Sequence, residues 1–161
     1  MKTELIYPDG IQVTQVELVY KSKIKHSDRY LIGDSRAAFK LFLDYWDMSK
    51  IDLLEEFKVI FLNRGGRVLA MANLTVGGIS GTVVDQRHVI SIALKLNAVS
   101  LIACHNHPGG SMTPSDADKE LTRILMDCGA VFQIKLLDHI IISSEKYFSF
   151  ADHSRISNQY D

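Results

Sequence analysis

A chain of 161 residues with 47% apolar and 23% charged side chains has the size and balance of one domain with a real core. Its net charge of −1 gives no global basic footprint for nucleic acid and no polybasic membrane signal. The opening Met1-Lys2-Thr3-Glu4-Leu5 lacks the apolar stretch of a secretory signal, no apolar run approaches a membrane span, and two cysteines make no disulfide framework. The expected setting is the reducing cytoplasm.

Pro8-Asp9-Gly10 is a turn signal, and the partial alternation of Val13, Val16, Leu18 and Tyr20 predicts an early strand within 12–21. A charged loop follows to Asp28. Ala37, Phe39, Leu41, Phe42, Tyr45 and Trp46 have helical spacing and predict a helix over 36–46, with Asp34 or Ser35 as its N-cap. A short second helical piece is predicted over 50–56. The Val/Ile/Phe/Leu run at 58–63 predicts a buried strand, Asn63-Arg64-Gly65-Gly66 a turn, and 67–76 the second arm of that hairpin. Gly77, Gly78 and Gly81 mark a flexible connection. Val89, Ala93 and Leu96, with Ile90 and Leu94 beside them, predict a helix over 85–97 packed on a sheet.

A second buried strand is predicted over 99–104. A helix over 116–128 turns Leu121, Ile124, Leu125 and Cys128 inward and places Gly129 as its C′ glycine. Strands are expected at 131–137, 139–143 and 147–150, before a polar, loose tail at 151–161. There is no internal repeat or linker. Strands alternating with helices predict a single α/β domain whose mixed sheet is flanked by helices.

The chemistry gathers between Ala103 and Asp118. His105 and His107 are two residues apart at the end of a strand, so they share one side of it. Two such imidazoles are a natural half of a zinc site. They are equally a pair of strand-end histidines bonded to a loop. Asp118 lies three residues before Leu121 and seven before Leu125, on the inward face of an apolar stripe, where a carboxylate needs a partner. Ser115-Asp116-Ala117-Asp118 also fits a capping box without any metal. Capping does not account for the two histidines across the Pro/Gly loop. Together His105, His107 and Asp118 make three ligands and leave a fourth position open, as a catalytic zinc requires. Such a site needs a carboxylate outside the ligand set to manage a proton, and Glu55 or Glu56 stands just before the first buried strand. From the residues alone, either reads first as a solvated helix-end charge. Cys104, in an apolar run, reads as a core thiol. His26, His88 and His153 read as surface residues.

The string His105-x-His107-Pro108, then Ser115-x-x-Asp118, resembles the signature of JAMM (MPN-plus) metalloproteases. The longer run from His105-Asn106-His107-Pro108-Gly109-Gly110 through Pro114-Ser115-x-x-Asp118, with Leu137-Asp138-His139-Ile140-Ile141 downstream, resembles more narrowly the RadC family of bacterial proteins. Phe57 to Asn63 and Ala93 to Ala98 are similar to that family's first core strand and middle helix. The resemblance implies a three-layer α/β/α sandwich with a mixed sheet, like the cytidine deaminase fold. It implies one RadC-like JAMM domain over 1–161, with its core at about 50–150.

It further implies that His105, His107 and Asp118 bind Zn²⁺ and that Glu55 is the general acid/base. Ser115 would hydrogen-bond a developing oxyanion or orient water beside the metal. Asp138 and His139 would act beside the zinc or within the sheet. The implied activity is zinc-dependent hydrolysis of an amide in a protein or peptide, linked through the family to DNA repair. The alternative is a non-catalytic RadC-like accessory protein in repair, recombination or mobile-element biology, with a structural metal. Longer family members carry a helix-hairpin-helix segment, for which the chain has no room. With near-neutral charge, that argues against DNA binding by this domain alone. No membrane partner is expected, and the residues specify neither substrate nor oligomeric state.

Overall fold

A computed structural model describes residues 5–6, 12–13, 22–76, 84–153 and 156. Two short strands, β1 (Leu5–Ile6) and β2 (Gln12–Val13), pair antiparallel, and the predicted Pro8-Asp9-Gly10 turn lies outside the described residues. The rest of the predicted early strand, the Gly77 to Gly81 connection and most of the tail lie outside the described residues.

The main sheet has five strands in the order β4-β3-β5-β6-β7. These are β3 (Glu56–Leu62), β4 (Val68–Val76), β5 (Ser100–Asn106), β6 (Lys135–Ile142) and β7 (Tyr147–Ser149). Only β5 and β6 run parallel, and the other neighbours are antiparallel. Every residue of β3 and β5 is buried, so both strands read as apolar runs rather than as alternation.

Helix α1 (Ser35–Asp44) covers one face. Asp34 caps it by accepting from the Ala37 N–H at 2.6 Å. Ala38, Leu41, Phe42 and Trp46 pack there on Ile60, Leu62, Ile102, Cys104, Ile140 and Ile142. Helices α2 (Gln86–Lys95) and α3 (Asp116–Val131) cover the other face. Val89, Ala93 and Leu125 pack there on Phe57, Val59, Phe61, Leu101, Ala103 and Leu136. The layers are helix, mixed sheet, helix, as expected. Burial pushes the Cys104 thiol well above its ordinary pKa, which fits a core thiol.

Four local expectations need correction. The helical piece predicted over 50–56 is absent: residues 50–54 form turns and Glu56 already opens β3, and the Asn106 side chain takes the Ile51 and Leu54 carbonyls and the Glu56 N–H. The predicted strands at 131–137 and 139–143 are one strand, β6. Its register against β5 shifts between Leu101 and Ile102, which leaves Leu137 unpaired and lets Asp138 and His139 lie inside the sheet. Gly129 lies within α3. A Cβ there would collide with the Ile134 carbonyl, so glycine admits the returning chain, and Gln133 (φ 57°) takes the left-handed position. The buried residues of α3 are Asp118, Thr122, Leu125 and Gly129, with Ile124 and Cys128 only half-buried.

Candidate metal centre

The site forms where β5 ends and α3 begins, joined by the Pro/Gly loop. Ligands commonly gather at such carboxyl ends in α/β sheets. His105 is the next-to-last residue of β5 and His107 follows the strand, so their rings fall on one side. The side is that of α2 and α3, because His105 is registered opposite Phe57, whose ring centroid lies 6.4 Å away. Asn106, between them, points to the α1 face and is wholly buried.

Asp118 enters from the first turn of α3 through the capping box read in the sequence. The Ser115 hydroxyl and N–H both donate to Asp118 Oδ2 at 2.7 Å, and the Asp118 N–H donates to Ser115 Oγ at 3.1 Å. Capping and convergence are therefore one arrangement. His105 Nε2 is 3.1 Å from Asp118 Oδ1 and 3.0 Å from His107 Nε2, and His107 Nε2 is 3.5 Å from Asp118 Oδ2. One ligand atom from each of His105, His107 and Asp118 lies within 4.8 Å of the others, and the group could hold a metal ion.

The donor chemistry fits a cation. His107 Nδ1 lies 2.7 Å from the Ser111 carbonyl, which can only accept, so that nitrogen carries a hydrogen and in the neutral ring Nε2 keeps the lone pair that can ligate. Burial opposes ionisation of Asp118, but contacts from His105, His107 and Ser115 hold its carboxyl well below the usual range. The hydrogen bond to Asp118 raises the pKa of His107 against partial burial, and the Glu55 charge adds to the rise.

The two candidate glutamates part here. Glu56 is buried on the α1 face, 2.7 Å from Lys58 Nζ, which itself sits 4.4 Å above the Trp46 ring. Glu55 shares the parity of Phe57, is half-buried, and lies near enough to His107 to influence its charge. Asp138 and His139 also part. Asp138 accepts from Ser149 Oγ at 2.7 Å and the Ala151 N–H at 3.0 Å, and burial raises its pKa. His139 is 2.9 Å from His105 Nδ1. Burial drives its pKa well below that of an ordinary histidine. His26, His88 and His153 are exposed.

Two residues at the site escape a sequence reading. Thr122 contacts both His139 and the Asp118 carbonyl, but a threonine in a helix carries no signal of its own. Asn106 could have been noticed, since alternation turns the residue between two ligands to the opposite face.

A family model described as the RadC-like JAB domain matches residues 32–155. The chain belongs to the RadC family. Among relatives similar to it, a UPF0758 protein of Flavobacterium johnsoniae is 48% identical over 98 residues, covering 61% of this chain and 43% of that protein. The UPF0758 protein YfjY of Escherichia coli K12 is 40% identical over 99 residues, covering 62% of each. A Geobacillus relative is 34% identical over 131 residues, covering 81% of this chain and 57% of its own length. The RadC-like chain thus spans roughly half the length of the relatives it matches. Among the described residues, no helix is long and apolar enough to cross a membrane.

Proposed function

We propose that this RadC-family domain is a zinc-dependent hydrolase of the JAMM type, acting on an amide of a protein or peptide. The observation that carries the reading is the convergence of two imidazole nitrogens and one carboxylate within 4.8 Å beside a half-buried glutamate. Bound Zn²⁺ supplies Lewis acidity, which acidifies water and polarises a carbonyl. His105, His107 and Asp118 would hold it. Three protein donors are the number a catalytic zinc site uses.

Glu55 is the proton carrier in this reading. It stands outside the ligand set, on the His107 side, and a carboxylate there can take a proton from water and return it to a leaving amine. Ser115 orients Asp118, because its hydroxyl and N–H both fix Oδ2. Glu56 takes no part, since its charge is neutralised by Lys58 on the other face.

Reconstitution with zinc followed by metal analysis tests the site. About one equivalent is expected, and less than about a tenth of an equivalent sinks the metal reading. Hydrolysis of a fluorescence-quenched peptide library then tests the reaction. Glu55→Gln should keep the zinc and abolish turnover. Zinc uptake without hydrolysis by the unaltered chain would favour the accessory role with a structural metal.

A further inference from the structure

His105 and His107 both bring Nε2 to the site, but different partners hold the far side of each ring. For His107 the partner is the Ser111 carbonyl. For His105 it is a third histidine. His105 Nδ1 lies 2.9 Å from His139 Nε2, and His139 Nδ1 lies 2.6 Å from Thr122 Oγ1. Thr122 Oγ1 lies 2.6 Å from the carbonyl oxygen of Asp118. The contacts leave one ligand and return to the backbone of another.

Only one placement of hydrogens satisfies a neutral chain of this kind. A carbonyl oxygen has none to give, so the Thr122 hydroxyl donates to Asp118. A hydroxyl has a single hydrogen, so toward His139 it can only accept. His139 Nδ1 therefore carries a hydrogen. The ring is wholly buried, stacked on Phe150 at 5.1 Å and edge-on to Phe57 at 5.8 Å, surroundings that favour its neutral form. A neutral ring with Nδ1–H has a bare Nε2, which accepts from His105 Nδ1–H. His105 Nε2 is then bare too, and faces Asp118 Oδ1 at 3.1 Å.

We propose that Thr122 and His139 are positioning residues that fix His105 in the Nδ1–H tautomer and aim its Nε2 lone pair at the metal. The proposal rests on the metal reading above. It ties His105 on β5 to the first turn of α3, which supplies Asp118, through one residue of β6. A His139 that merely filled space between two phenylalanines would be indifferent to the Thr122 hydroxyl.

The test uses the full chain, zinc-loaded, with ¹⁵N-labelled histidine. Long-range ¹H–¹⁵N spectra report which ring nitrogen carries hydrogen. The expected result is Nδ1–H on both His105 and His139. Zinc affinity, measured by chelator competition, should fall about 10–100-fold in Thr122→Val and recover in Thr122→Ser, which keeps the hydroxyl. Hydrogen on Nε2 of His139 overturns the relay, as does Thr122→Val binding zinc as tightly as the unaltered chain. Should Thr122→Val fail to fold, the spectrum of the unaltered chain decides alone. An unaltered chain that takes up no zinc overturns the metal reading and the relay with it. Zinc uptake with the wrong tautomer overturns the relay only.

Discussion

Asn106→Ala removes a clamp from the segment that delivers Glu55. The Asn106 side chain is wholly buried and makes three hydrogen bonds to backbone among the described residues. Nδ2 donates to the Ile51 carbonyl at 2.6 Å and the Leu54 carbonyl at 2.8 Å, and Oδ1 accepts from the Glu56 N–H at 2.7 Å. A buried polar group stranded without its partner costs about 1–3 kcal/mol. The Ile51 and Glu56 contacts are buried and bear that cost in full. The Leu54 contact is part-buried, so water can replace much of it. The sum is a loss of roughly 2–6 kcal/mol, a large share of the ~5–15 kcal/mol typical of a folded protein. Urea unfolding followed by the fluorescence of Trp46, the single tryptophan, measures it directly. The midpoint should fall at an unchanged slope. Asn106→Asp keeps an acceptor for Glu56 but sets a carboxylate against two carbonyls. It should be strongly destabilised at neutral pH and recover in part in acid. A loss below about 1 kcal/mol in Asn106→Ala would refute the clamp.

Glu56→Gln strands the Lys58 ammonium and should cost about 3–5 kcal/mol, whereas Glu55→Gln should change stability by less than about 1 kcal/mol. Equal effects in denaturant titrations would contradict the separation of the two glutamates between faces. Gly129→Ala drives a methyl into the Ile134 carbonyl and should lose about 1–3 kcal/mol or more. An unchanged melting temperature would show that the chain has room to shift. In chelator, Asp118 and His107 are among the groups that shape the pH profile of stability, beside buried Asp138 and His139. The pKa of Asp118 is depressed in the folded chain, so its contribution is present above about pH 4 and lost as pH falls. That of His107 is raised, so its contribution is present below about pH 6.5 and fades as pH rises through the folded value. Asp118→Asn should flatten both limbs of melting temperature against pH, and a profile identical to the unaltered chain's would remove Asp118 from the account.

The legible parts of the sequence were those where one physical rule acts alone. Two-residue periodicity was enough to put His105 and His107 together, and the capping spacing placed Ser115 and Asp118 at the start of α3. The order of hairpin, helix and crossover followed from runs and turns. The misreadings arose where a distant group overrides local pattern. The turns at 50–54 depend on Asn106, some fifty residues away. Strand β6 looked broken because Asp138 and His139 are polar, yet each has a buried partner, Ser149 for one and His105 for the other. Gly129 resembled a helix end, and its actual reason is the approach of Ile134.

The parallel pair β5 and β6, joined by α3, has a consequence for how such a domain can diverge. All three candidate ligands, and both members of the relay, belong to that single strand-helix-strand unit. Glu55 alone comes from outside it, on the segment leading into the antiparallel neighbour β3. On the function proposed above, metal retention and turnover would be encoded in separate stretches of the gene. On that proposal, a lineage would lose the proposed proton carrier by a change at Glu55 and still inherit the candidate ligand set intact, or regain it without rebuilding that set.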